Sequence, residues 1–275
     1  MTDADSILIF GGVYSNLQAL ESLRKRADAQ GFAPERIYCS GDIAGYCADP
    51  RAVLDAVRDW GVHCIAGNVE LQLVDGADDC GCNFVEGGRC DTLSRRWFPY
   101  VQSQVGAAQL DWLRSLPQHL YINFGGRRLC LVHGSFGNTS QFVFKSTLWD
   151  VKQAEMRRAG VDFIIGGHSG LPFVDCQGDA VWLNAGVIGM PANDGTPRTW
   201  FATLESVNNG AIRARLHALE YDHQTAARRM RECGLPLEYA QTLLDGLWDN
   251  CEILPAAETA QRGQNINETA VELPG

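Results

Sequence analysis

Five short apolar runs, each closing on glycine or a polar residue beside it, punctuate the first two thirds of the chain. They are Ile7-Leu8-Ile9-Phe10-Gly11-Gly12, Ile37-Tyr38-Cys39-Ser40-Gly41-Asp42, Cys64-Ile65-Ala66-Gly67-Asn68, Leu129-Cys130-Leu131-Val132-His133 and Phe163-Ile164-Ile165-Gly166-Gly167-His168. Unbroken apolar runs of this length predict strands covered on both faces that stop at tight turns. Stretches with helical spacing follow the first two, Leu17 to Ala29 and Pro50 to Trp60, so the chain opens βαβα. After an irregular segment at 75–89, helical pattern runs from about Thr92 to Ser115. Short strands are then expected at Leu120–Phe124, Leu129–Val132, Phe173–Cys176, Val181–Asn184, Trp200–Leu204 and Ile212–Leu216, forming a second, largely antiparallel sheet packed on the first. From Tyr221 the spacing becomes helical again, with Gln224 to Cys233 and Leu237 to Trp248 separated by Gly234-Leu235-Pro236. The expected architecture is an α/β sandwich of two sheets with flanking helices over residues 1–220, a helical pair over 221–255 and a solvated tail over 256–275, where large apolar groups are scarce.

Ligands of open α/β sheets gather at the carboxyl ends of strands. Asp42, Asn68, His133 and His168 stand at four such ends and offer one carboxylate, one amide oxygen and two imidazoles. That donor set suits a divalent transition metal, Fe, Mn, Zn, Co or Ni, without choosing among them. Taken singly, each residue has a plainer reading: Asp42 as a turn cap, Asn68 as a turn residue, either histidine as a hydrogen-bonded structural group. Arg198, after the turn Asn193-Asp194-Gly195-Thr196-Pro197, reads equally as an anion-binding group or a surface arginine.

With 275 residues, 45% of them hydrophobic, the chain can bury a large core. A net charge of −10 disfavours an extended nucleic-acid groove, which needs clustered Lys and Arg. The expected partner is a small, anionic substrate, with homo-oligomerisation left open. No apolar stretch reaches the roughly 18 residues of a membrane span. The first strand follows Met1-Thr2-Asp3 almost directly, with no basic leader. Ten cysteines then read as reduced thiols or metal ligands, and the expected location is cytoplasmic. Cys80, Cys82 and Cys90 lack the paired Cys-x-x-Cys spacing of zinc sites, so their segment is read as the rim of a cleft.

The order of these segments resembles the calcineurin-like metallophosphoesterases, in particular their small bacterial phosphodiesterase branch, from about Ser6 to Trp248. The resemblance extends to Asn16-Leu17-Gln18-Ala19-Leu20-Glu21, to Gly41-Asp42-Ile43-Ala44-Gly45-Tyr46 and to Asn184-Ala185-Gly186-Val187-Ile188-Gly189. It implies a two-metal site with a bridging aspartate that positions a hydroxide for in-line attack on a phosphoester. The chain departs from that pattern where the first metal would sit. The first-strand Asp-x-His falls on Gly12 and Tyr14, and the last histidine of Gly-His-x-His falls on Gly170. The bridging aspartate, the asparagine and both histidines of the second site are Asp42, Asn68, His133 and His168. The histidine credited with protonating the leaving group falls on Val69.

This pattern predicts one retained metal site beside a dismantled one. Gly12 and Gly170 are expected to leave space for part of a substrate or for Tyr14, whose phenol could act as a ligand, a proton donor or a redox group. The leading functional reading is a one-metal phosphoester hydrolase with altered chemistry, with Asp42, His168 and Tyr14 as catalytic residues and Arg198, Gly12 and Gly170 at the substrate. The alternatives are a repurposed mononuclear, iron-type metalloenzyme and a catalytically silent binding protein.

Overall fold

The computed structural model describes residues 6–207 and 211–273. The N-terminal residues read as leaderless, and the last two residues of the expected tail, lie outside the described residues. Strand β1 (Ser6–Phe10) puts Leu8 and Phe10 on one face of its sheet and Ile7 and Ile9 on the other, in two different cores. Double burial is the reason its apolar run is unbroken. Beside β1 run β2 (Ile37–Cys39) and β3 (His63–Cys64), both parallel, connected through α1 (Leu17–Ala29) and α2 (Pro50–Trp60).

The chain continues through α3 (Asn68–Asp75), α4 (Arg89–Gln104), α5 (Ala107–Arg114), β4 (His119–Phe124), β5 (Arg127–Val132), α6 (Trp149–Ala159) and β6 (Phe163–Gly166). Then come β7 (Pro172–Gln177), β8 (Ala180–Ala185), β9 (Thr199–Ser206), β10 (Ile212–Leu219), α7 (His223–Glu232), α8 (Leu237–Asp245), α9 (Ala256–Thr259) and β11 (Thr269–Leu273). Among the described residues, six strands form one sheet in the order β11-β10-β9-β1-β2-β3, and five form the other in the order β4-β5-β6-β8-β7. One core, with Ile9, Leu131, Ile165 and Trp200, lies between the sheets. A second joins the six-stranded sheet to α1, α2, α4, α7 and α8, and a third joins the five-stranded sheet to α6 through Met156 and Ala159. The layers are therefore α/β/β/α. No helix among the described residues is long and apolar enough to cross a membrane.

The strands expected at Trp200–Leu204 and Ile212–Leu216 join the first sheet rather than the second, because β9 pairs antiparallel with β1 over Ser6–Ile9 and carries β10 with it. The second sheet is mixed, with β5, β6 and β8 parallel. The segment expected as a solvated tail instead ends in β11, which pairs with β10 along Ile212–Leu216 and buries Leu273. The Glu258 carboxylate anchors its start by accepting from the Ser146 N–H (3.0 Å) and hydroxyl (2.6 Å).

Candidate metal centre

Asp42, Asn68, His133 and His168 arrive from four strand ends and are 2–7% exposed. The His133 Nδ1 lies 2.7 Å from the Ser40 carbonyl, so that nitrogen must carry the proton that it donates there. Its Nε2 then presents a lone pair to Asn68 Oδ1 at 3.0 Å, His168 Nδ1 at 3.1 Å and Asp42 Oδ2 at 3.3 Å. The orientation of the Asn68 amide follows from its other end, where Nδ2 donates to the Cys80 carbonyl (2.7 Å) and approaches the Cys82 sulfur (3.1 Å).

Four acceptor atoms thus converge where one proton could serve only one of them. Donors bound about 2.0–2.2 Å from a single ion stand about 3 Å apart, so the observed spacings fit a small divalent cation. The histidine that donates its far N–H to a backbone carbonyl is a recurrent arrangement in such sites. His168 turns its Nδ1 to the same point, 3.1 Å from His133 Nε2, and its Nε2 is buried with no hydrogen-bond partner among the described residues.

The electrostatics agree. Burial opposes a charge on His133, but the Asp42 carboxylate outweighs it and raises the imidazole pKa above its ordinary value. Burial likewise pushes the Asp42 carboxyl up, yet His133 holds it below the usual range overall. Burial, reinforced by the His133 charge, depresses His168 to about 3, so it stays neutral.

Backbone strain marks the same place. Tyr14, Ser15, Asp42 and His168 all have φ between 51° and 59°, a region that non-glycine residues rarely adopt and that clusters at functional sites. The residue that holds the Asp42 turn was not singled out from the sequence. Glu70, fully buried, accepts from the backbone N–H groups of Asp42 (2.8 Å), Ile43 (2.8 Å), Ala44 (3.2 Å) and Gly67 (2.8 Å). Burial and the charge of Asp42 push its pKa up to about 7, against the pull of the Gly67 and Ala44 N–H groups. Its position, three residues after the glycine that precedes α3, is the spacing of a helix capping pair and was the available signal.

A cavity of about 80 Å³ opens beside the cluster, lined by Asp42 and His168 together with Tyr14, Tyr46, Cys82, Tyr239 and Trp248, among others. That space suffices for an ion with a few waters or one small ligand group. Burial and the neighbouring Asp42 raise the Tyr14 phenol well above its usual pKa, and burial does the same for Tyr46 and Tyr239, so all three remain protonated.

Tyr14 and Gly170 line this cavity, whereas Gly12 is packed behind it: a Cβ there would lie 2.4 Å from Val187 Cγ1 and 2.8 Å from the Tyr14 ring. The space expected at Gly12 is therefore filled by Val187 and Tyr14, and the edge of Trp248 lies over Gly170. Arg198 is not part of the lining. Its guanidinium is bound to Asn265 Oδ1 (2.9 Å), the Ile266 carbonyl (3.1 Å) and Asp194 (3.4 Å), which ties the C-terminal segment to the β8–β9 connection. Cys80 and Cys82, 2.9 Å apart, support Asn68 rather than only shaping a rim, and Cys90 also faces the cavity.

A family model described as the calcineurin-like phosphoesterase superfamily domain matches residues 6–209. An uncharacterized protein of Methanocaldococcus jannaschii is 24% identical over 243 residues, 84% of this chain and 93% of its own. A solved metallophosphoesterase from Sphaerobacter thermophilus superposes with a TM-score of 0.69 at 23% identity, over 89% of this chain and all of its own. A hypothetical protein from Pyrococcus horikoshii gives a TM-score of 0.74 at 20% identity, over 88% of this chain and 99% of its own. Both share the two-sheet fold. With most of its length matched by the family model, the chain belongs to the calcineurin-like phosphoesterase superfamily.

Proposed function

We propose that the chain is a metal-dependent phosphoester hydrolase that works with the family's second metal site alone, its first site being dismantled. The observation that carries this reading is the asymmetry of the cavity. On one side four donors converge on a common point; on the other, Gly12, Tyr14 and Gly170 bring Val187, a phenol ring and Trp248 into the space where ligands are expected by resemblance.

One divalent ion, Fe, Mn or Zn, held by Asp42, Asn68, His133 and His168 supplies the Lewis-acid charge that polarises a phosphoryl oxygen and acidifies water. The chain's own groups do the rest. His133 is fixed by Ser40, Asn68 by Cys80 and Cys82, and Asp42 by Glu70. Val69, buried where the family has its proton-donating histidine, cannot exchange a proton. Tyr14 holds a proton on its phenol oxygen inside the same cavity as Asp42 and takes over as donor to the leaving oxygen. Loss of a positioned general acid costs about 10²–10⁴ in rate, and Tyr14→Phe is expected to fall in that range. All ten cysteines are free thiols, which suits a reducing compartment, and on that ground we place the protein in the cytoplasm.

The test is elemental analysis of protein purified without chelators, with turnover of bis(p-nitrophenyl) phosphate measured alongside, for wild type, Asp42→Ala and His168→Ala. One equivalent of metal, lost together with turnover in both variants, is expected. Equal turnover in all three proteins would end the hydrolase reading, and two equivalents in wild type would overturn the dismantled first site.

A further inference from the structure

The two histidines of the cluster are held in different ways. His133 has its far nitrogen on the Ser40 carbonyl at 2.7 Å, the usual means of orienting a ligating imidazole. His168 turns Nδ1 to the cluster and has no hydrogen-bond partner at Nε2 among the described residues. Against burial, which keeps His168 neutral, the Ser140 carbonyl favours a charge on the ring, but from outside hydrogen-bond geometry. No hydrogen bond at Nε2 therefore sets the plane of this ring, and rotation about its Cβ–Cγ bond is a soft torsion. What lies on the ring is a phenyl face. Phe142 stacks on His168 with centroids 4.2 Å apart and planes 27° from parallel. Phe142 is in turn stacked with the buried Phe144 (6.1 Å, 11°) and with Phe84 (6.5 Å, 21°).

A compact loop between β5 and α6 brings Phe142 to this place. It starts at Gly134, directly after His133, where a Cβ would lie 2.4 Å from the Thr139 carbonyl oxygen. The Ser135 and Gln141 N–H groups both donate to the Asn138 carbonyl (2.9 and 3.2 Å), which folds the loop back on itself. On its outer side the Ser140 hydroxyl donates to the carbonyl of Gly81 (2.5 Å), between the two cysteines that orient Asn68. One loop thus leaves one candidate ligand, covers a second with Phe142 and braces the segment behind a third.

We propose that Phe142 is a positioning residue of the metal site, its ring setting the plane of His168 where no hydrogen bond does so. The proposal rests on the metal-site part of the reading above and is independent of the reaction. Ring electrostatics give the direction of the effect. A neutral imidazole gains from stacking, and gains more when its electrons are drawn toward a cation at Nδ1, because the phenyl face is negative. Leucine at position 142 keeps an apolar contact but offers no flat face, and tyrosine restores the face.

The experiment loads the full chain with Co²⁺ and records its visible absorption. Co²⁺ affinity by chelator competition and the melting temperature of the metal-free protein are measured alongside, for wild type, Phe142→Leu, Phe142→Tyr and Phe136→Leu. Phe142 is half-buried, so its variants are expected to fold. Phe136 lies in the same loop but stacks on His119 (4.3 Å, 17°), so its variant reports what loop packing alone contributes. Phe142→Leu is expected to bind Co²⁺ about three- to ten-fold more weakly, the range for losing one aromatic pair, with shifted absorption bands. Phe142→Tyr is expected to match wild type in both, and Phe136→Leu to change the melting temperature only. Wild-type affinity and bands in Phe142→Leu, the same losses in Phe136→Leu, or no rescue by tyrosine would each overturn the proposal. Failure of the earlier reading has different signatures. A wild-type chain that takes up no Co²⁺ removes the metal site and this proposal together. A chain that takes it up, responds to Phe142 as expected and never turns over bis(p-nitrophenyl) phosphate removes the hydrolase and keeps the positioning residue.

Discussion

Replacing Glu70 with glutamine tests whether a single carboxylate holds the turn that carries Asp42. In the structure its Oε1 accepts from Ile43 and Ala44 and its Oε2 from Asp42 and Gly67. Glutamine keeps one oxygen and turns the other into an NH₂ group, so two of these four backbone N–H groups face a donor. A buried donor left without an acceptor costs about 1–3 kcal/mol, which gives about 2–6 kcal/mol for the pair. For a chain of this size 1 kcal/mol moves Tm by about 2–4 °C, so the variant should melt roughly 5–20 °C below wild type. The turn it releases carries Asp42 at φ 52°, a conformation that persists only while its surroundings enforce it. Metal affinity should therefore drop with stability, by about 10–100-fold, as for other groups that orient ligands. The assays are thermal melting of the metal-free protein and competition for metal with a chromophoric chelator, both above the pKa of about 7 at which Glu70 ionises. Glu35→Gln, on an exposed turn, serves as the control and should stay within about 0.5 kcal/mol of wild type. A Glu70→Gln protein that melts and takes up metal like wild type would refute the argument that this carboxylate organises the site.

Other consequences are as direct. Cys82→Ala removes one of the two acceptors that orient Asn68, and should weaken metal binding about ten-fold without unfolding the chain; unchanged affinity would mean that the Cys80 carbonyl suffices. Arg198→Ala should speed amide exchange through residues 265–273 while leaving metal affinity intact, and a loss of substrate binding instead would restore its role as an anion site. The pH dependence has a worked sign. His168 is held near 3 when folded against about 6.5 when unfolded, so its contribution to stability is full above about 6.5 and is lost as pH falls. Glu70, raised to about 7, works the other way: its contribution is full below about 4.3 and is lost as pH rises toward 7. Between pH 4.5 and 6.5 the two offset each other in wild type. The stability difference between wild type and His168→Asn, measured by urea unfolding of metal-free protein, should therefore widen by about 1.4 kcal/mol per pH unit over that window. A constant difference would refute the assignment.

The strand ends were legible because a strand covered on both faces leaves no polar position until it reaches the turn. For that reason Asp42, Asn68, His133 and His168 stand out in the sequence. Sheet membership was not legible for β9 and β10, since an antiparallel strand of alternating pattern fits the edge of either sheet, and the choice is made by pairing with β1. Helix α6 escaped because two of its four buried residues are Lys152 and Glu155, which mask the apolar stripe; Lys152 is satisfied by Asp175 at 2.6 Å, a partner 23 residues away. Strand β11 escaped because only Leu273 is buried in it. Arg198 follows a turn whose local sequence reads the same whether the guanidinium faces a substrate or, as here, the chain's own C-terminal segment.

The segment after β1, where the resemblance would put the first site's ligands, is bonded to the segment that carries Asp42. Gly12 donates to the Gly41 carbonyl (3.0 Å), Tyr14 to Asp42 (3.1 Å) and Ser15 to Ile43 (3.0 Å), while the Ser15 hydroxyl accepts from Gly45 (3.0 Å). These bonds keep Tyr14 and Ser15 at positive φ and place the Asp42 backbone between two templates, this ladder on one side and Glu70 on the other. On the proposed reading, the first loop therefore keeps a structural duty after losing its chemical one, and selection for the second site preserves its backbone while leaving its side chains free to change. The change is also hard to reverse. An aspartate at Gly12 would need Val187 and the Tyr14 ring to move, and a histidine at Gly170 would have to hold φ at 74° beside the Trp248 edge. On the same reading, restoring one ligand leaves Val187 and the Tyr14 ring packed against Gly12, so recovery of a second metal requires that wall to be rebuilt together with the ligands.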